Sequence, residues 1–129
     1  MIPPLILHQA KRLGLSLIAV TDHNACYNAE AMIQASSGTG IHILPGMELQ
    51  SKEEVHLLCL FDTLGQCQQW QEEVHPKLLP LANREEVFGA QFVVDASGEW
   101  VRTEERLLAT SVDMDLQEVL KRFMPSVGW

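Results

Sequence analysis

His23, Glu48 and His56 stand where the surrounding sequence makes a polar side chain costly. His23 closes the run Leu17-Ile18-Ala19-Val20-Thr21-Asp22, Glu48 follows Ile41-His42-Ile43-Leu44-Pro45-Gly46-Met47, and His56 lies inside Val55-His56-Leu57-Leu58-Cys59-Leu60-Phe61. A carboxylate or imidazole set among buried apolar residues needs a hydrogen-bonding network or a metal ion as its partner. Two imidazoles and a carboxylate suit Zn, Mn or Fe. Spacing alone leaves both readings open, because the residues are far apart in the chain and only the topology can unite them. Asp22 also has two readings: a local side-chain turn after a strand, or a carboxylate that orients a neighbouring metal ligand.

The elements that must carry these residues can be read from periodicity and punctuation. Ile6, Ala10 and Leu13 share a helical face that Gly14 ends, and Leu15 to Val20 is an apolar, β-branched run that reads as a buried strand. Ala29 to about Ser36 is helical, and Ser36-Ser37-Gly38-Thr39-Gly40 is a loop. A second strand, Ile41 to Leu44, is expected to be interrupted by Pro45-Gly46, and a third runs from Val55 to Phe61. Near-continuous apolar runs of this kind suit a largely parallel sheet covered on both faces, with the C-terminal strand ends gathered at one rim. Thr63 and Gln66 have capping-box spacing ahead of a helix with Cys67, Trp70 and Val74 on one face, which Pro76 stops. Ala96-Ser97-Gly98 between Gln91–Asp95 and Glu99–Arg102 predicts a hairpin, and Asp115 with Glu118 starts a last helix whose apolar face is Leu116, Val119, Leu120 and Phe123.

The 129 residues fit one domain spanning 1–129, and a net charge of −8 leaves no basic stripe for a phosphate backbone. Nucleic-acid binding by charge alone is disfavoured, whereas an anionic small molecule can bind if metal ions supply the local positive charge. Cys26, Cys59 and Cys67 form no C-x-x-C pair, which argues against a zinc knuckle or a disulfide framework and for a reducing, cytoplasmic setting. No run is long enough to span a membrane. The remaining histidines have ordinary roles: His8 solvated on the first helix, His42 on a strand face, and His75 at a helix terminus. Trp70 and Trp100 read as packing residues.

The block Gly14-Leu15-Ser16-Leu17-Ile18-Ala19-Val20-Thr21-Asp22-His23-Asn24 closely resembles the Thr-Asp-His block of the PHP (polymerase and histidinol phosphatase) family. Gly40-Ile41-His42-Ile43-Leu44-Pro45-Gly46-Met47-Glu48 resembles that family's strand ending in Pro-Gly-x-Glu, and Glu54-Val55-His56-Leu57-Leu58 follows in the right order. Asn83 through Asp95, with Phe88-Gly89-Ala90-Gln91, is similar to a branch of stand-alone PHP phosphoesterases. The resemblance implies an α/β fold: a partial, distorted β/α barrel of the PHP type, with a short, largely parallel sheet, flanking helices and a β-hairpin. It implies His23, Glu48 and His56 as ligands of divalent metal (Zn, Mn or Fe), with Glu48 bridging, and Asp22 in support.

The family also carries a His-x-His pair, an Ala-His block and an Asp-x-His that these residues do not contain. The expectation is therefore a metal-dependent phosphoesterase domain acting on a small phosphoester, incomplete and of low or no activity as an isolated chain. The alternative is a non-catalytic module with weak metal binding. An accessory domain of a polymerase has little support from the acidic charge. Unpaired apolar strand edges lead us to expect a homo-oligomer.

Overall fold

The computed structural model describes residues 2–124, which form five α-helices, five strands and one short 3₁₀ turn. Helix α1 (Pro3–Arg12) begins with two prolines, tolerated in a first turn whose N–H groups have no helical acceptor. Gly14, at φ 72°, ends it. Its amide donates to the Lys11 carbonyl at 3.1 Å and that of Leu15 donates to Ala10 at 2.9 Å, so two terminal carbonyls are satisfied as the chain turns toward the first strand.

Strand β1 (Leu17–His23) pairs in parallel with β2 (His42–Gln50) through the crossover helix α2 (Ala29–Ala35), with His23 opposite Glu48. Strand β3 (His56–Leu60) runs antiparallel to β2, giving the sheet order β1-β2-β3. This corrects the largely parallel sheet expected from the sequence. Only residues 51–55 join β2 to β3, whereas a parallel return needs a crossover of a dozen residues or more. A second correction concerns Pro45-Gly46, which does not interrupt β2. Pro45 lies one residue outside the β3 ladder, which runs from Gly46 to Gln50, so its missing N–H costs that ladder nothing. Gly46 is required there, since a Cβ would come within 2.7 Å of the Cys59 carbonyl oxygen.

One face of the sheet is covered. Ile18, Val20 and Ile43 pack with Leu7, Ala10 and Met32 of the first two helices. Met47, Leu49 and Cys59 pack with Trp70 and Val74 of α3 (Leu64–Val74) and with Val112, Met114 and Val119 farther on. Helix α3 starts at the expected capping box, in which the Thr63 hydroxyl accepts from the Gln66 amide and the Gln66 side chain accepts from that of Thr63. Helix α5 (Leu116–Phe123) is capped by Asp115 and sets Phe123 edge-on to Phe61 and Trp70, with ring centroids 5.4 and 5.3 Å apart. Among the described residues nothing covers the opposite face, a third correction: Leu17, Leu58 and Leu60 remain 55%, 64% and 44% exposed.

The hairpin of β4 (Phe92–Val94) and β5 (Trp100–Thr103) forms as read, its turn held by the Asp95 carboxylate, which accepts from the Ser97 and Glu99 amides. The connection before it also contains a one-turn helix, α4 (Glu85–Phe88). Among the described residues the strands make an open sheet and a separate hairpin, not a closed barrel. No helix among them is long and apolar enough to cross a membrane.

Candidate metal centre

Alternation along β1 and β2 sends His23 and Glu48 to the uncovered face at the C-terminal rim. His56 reaches the same rim from the other direction. It is the first residue of the antiparallel β3, paired with Gln50 and flanking Leu58, the partner of Glu48. One carboxylate thus lies between two imidazoles: Glu48 Oε1 is 2.5 Å from His56 Nδ1, and Oε2 is 4.0 Å from His23 Nδ1. The two rings meet edge to face with centroids 6.3 Å apart. The side chains of His23 and His56 are about half exposed and that of Glu48 less so, at 53%, 47% and 27%. The hydrogen bond from His56, helped by the charge of His23, holds the Glu48 carboxyl below its usual range. As these side chains stand, His56 bonds Glu48 directly, and no group of three or more His, Cys, Asp or Glu among the described residues is arranged to hold a metal ion.

Asp22 points to the other side of β1, paired in register with the buried Met47. Its carboxyl is raised by the protein around it, with the hydrogen bond from Asn28 and the charge of His23 pulling the other way. The Asn28 side chain beside it is held by the hairpin, donating to the Phe92 carbonyl and accepting from the Val94 amide. His75, at the end of α3, shares a hydrogen bond of 3.2 Å with the Tyr27 hydroxyl, and His42 is exposed at the start of β2. Cys26, Cys59 and Cys67 are free, buried thiols.

Asn24, which sequence reasoning passed over, holds the rim together. It is 1% exposed and sits at φ 50°, a left-handed conformation that asparagine tolerates better than most residues. Its backbone amide donates to the Glu48 carbonyl at 3.0 Å, and its side-chain oxygen accepts from the Gln50 amide at 2.9 Å. Its side-chain nitrogen donates to the carbonyls of Leu108 and Thr110 at 2.8 and 2.5 Å. The β1–β2 ladder is thereby continued by a side chain after β1 has turned away, which fixes His23 against Glu48. The available signal was its place directly after Thr-Asp-His, where Asn commonly bonds local backbone.

Beside His23 opens a cleft of about 430 Å³ between the end of β1 and the segments around residues 88–93 and 104–109. Thr21, Asp22 and His23 form one wall, and Phe88 and Phe92 stand in the other. Gln91 shapes it from behind by donating to the Glu104 and Arg106 carbonyls and accepting from the Leu108 amide.

No curated protein and no solved structure shows significant similarity to the chain. The family model of the PHP domain matches residues 3–118, a span that takes in β1, β2, β3 and the whole rim of His23, Glu48 and His56. The chain belongs to the PHP domain family.

Proposed function

We propose that the chain is a metal-dependent phosphoesterase domain in which His23, Glu48 and His56 are the protein donors for a divalent ion, Zn, Mn or Fe. The observation that carries this reading is the Glu48 carboxylate lying between two imidazoles at one open rim. The donor set fits such an ion. Imidazole nitrogens and a carboxylate are ordinary ligands for these metals, and half-exposed side chains can turn without opening the core. A bound ion would polarise a phosphoryl oxygen and lower the pKa of bound water. The protein's part is to hold the donors: the ladder sets His23 beside Glu48, the reversal of β3 brings in His56, and Asn24 locks the two strand ends. Asp22 lies one residue from His23 on the other side of β1, so its support would act through the backbone of the β1 end.

Three protein donors leave much of a metal's coordination to water, so we expect weak binding and little turnover of a small phosphoester by this chain alone. The test is a titration with Zn or Mn followed calorimetrically. Glu48→Ala is expected to abolish most of the binding heat, and an unchanged isotherm would remove the site. Robust metal-dependent hydrolysis of an aryl phosphate, lost in His23→Ala, would show the expected low activity to be wrong.

A second reading is favoured by a separate observation: the uncovered sheet face bears Leu17, Leu58 and Leu60, and β1 and β3 are both edge strands. We infer that two copies of the chain cover this face for each other, since an apolar edge is a template for pairing and a closed two-fold is the commonest result.

A further inference from the structure

The cleft beside His23 has a chemistry of its own. Its volume of about 430 Å³ lies within the roughly 300–1,000 Å³ of small-molecule sites. Phe88 and Phe92 are 50% and 53% exposed and both line it, so solvated ring surface is gathered around a concavity instead of being scattered. The third ring, Tyr27, is occupied: the Arg102 guanidinium lies 4.6 Å from its centroid, and its hydroxyl is bonded to His75. Two carboxylates, Asp22 and Glu104, also face the cleft. Glu104 is neutralised by Arg102 at 2.8 Å, whereas Asp22 has no basic side chain of Lys or Arg within ion-pairing distance among the described residues. An anion would be repelled from this wall, and a neutral ring would be welcomed.

We propose that this cleft binds the organic, leaving-group half of the substrate, and that the half it selects is a neutral planar ring carrying a hydroxyl or similar polar group. The proposal rests on the phosphoesterase reading, because it is His23, shared by the cleft and the candidate metal centre, that joins the two halves of one ligand. The phosphoryl group lies at the rim of His23, Glu48 and His56. The ring enters between Phe88 and Phe92, where it covers aromatic surface that otherwise meets water. The Thr21 hydroxyl, on the His23 side of β1, and the Asp22 carboxylate, on its other side, both line the cleft where the strand ends, and either can receive the polar group.

The experiment uses non-hydrolysable probes on the whole chain with saturating Zn. Phenylphosphonate and methylphosphonate carry the same anion and differ in the ring. Burying one phenyl ring predicts that phenylphosphonate binds about tenfold more tightly or better. Phe92→Ala is expected to reduce that advantage to about twofold or less while leaving methylphosphonate affinity unchanged, and Phe88→Leu to reduce it less. Because Phe92 is half exposed, the alanine variant is expected to fold, which its circular dichroism and urea midpoint check. Equal affinity for the two phosphonates in the unaltered chain, or an advantage that survives Phe92→Ala, overturns the proposal. If neither phosphonate binds, the phosphoesterase reading has failed. Benzyl alcohol without metal then tests the cleft by amide chemical shifts: movement confined to residues 21–28 and 88–93 supports it, and no movement there overturns it.

Discussion

Replacing Asn24 by alanine probes the joint that the candidate site depends on. The substitution strands the Gln50 amide and the Thr110 carbonyl, and takes from the Leu108 carbonyl one of its two donors, the other being the Thr110 amide. Each lost bond in a partly buried setting costs about 1 kcal/mol net, and more where water cannot replace it. Alanine must also hold φ 50°, a left-handed conformation that costs an ordinary residue about 1–2 kcal/mol. The sum is about 4 kcal/mol, near the top of the range for single substitutions and a large part of the stability of a small domain. Two variants divide the sum. Asn24→Gly keeps the backbone conformation without penalty and loses only the hydrogen bonds, so it should be about 1 kcal/mol more stable than the alanine variant. Asn24→Asp keeps the acceptor for Gln50 but sets a carboxylate oxygen against two carbonyl oxygens, and should be no better than alanine at pH 7. Urea denaturation with a common m-value measures all three. A loss below about 1 kcal/mol for alanine, or a glycine variant less stable than alanine, would refute the clamp.

Other outcomes follow from the same geometry. Asp95 accepts from the Ser97 hydroxyl and from the Ser97 and Glu99 amides, which hold its carboxyl below the ordinary value. Its folded pKa is depressed, so the stabilisation of the hairpin is complete above the unfolded carboxylate pKa and is lost as pH falls through the folded value. Amide shifts of residues 95–99 should stay constant from pH 7 until below the usual aspartate range and then move, and titration at or above that range would contradict the turn. Burial pushes the Cys59 thiol up to about 11, and the neighbouring Cys26 together with burial raises Cys67, while the neighbouring Cys67 lowers Cys26. Iodoacetamide at pH 8 should therefore modify Cys26 first, as read by peptide mass spectrometry, and prior labelling of Cys59 or Cys67 would overturn that order. Light scattering at micromolar concentration should report a dimer that Leu58→Glu weakens, and a stable, non-aggregating monomer would refute association through the uncovered face.

Signals that act over a few residues were legible in the chain. Thr63 with Gln66, Asp115 with Glu118, Gly14, and the turn before Gly98 each place an element boundary through bonds made within a few positions. The direction of β3 was missed because an alternating or continuous apolar run reads the same both ways. The deciding fact was the shortness of the link 51–55, which a parallel return cannot use. That miss bears directly on the site. In a parallel β3, His56, as the first residue of the strand, would have been carried to the rim opposite His23 and Glu48. The reversal is what seats it 2.5 Å from the Glu48 carboxylate. The sidedness of the sheet was missed for a related reason. Leu17, Leu58 and Leu60 are the same letters whether a second layer covers them or whether they wait for another chain. The place of Asn24 after Thr-Asp-His hinted at a local backbone bond, but its distant partners were beyond reach, because its side-chain donors meet carbonyls 84 and 86 positions away. A residue that looks like the tail of a local turn is in this fold the point where two strands and a distant loop are tied, so the rim's geometry depends on contacts that no window of sequence contains.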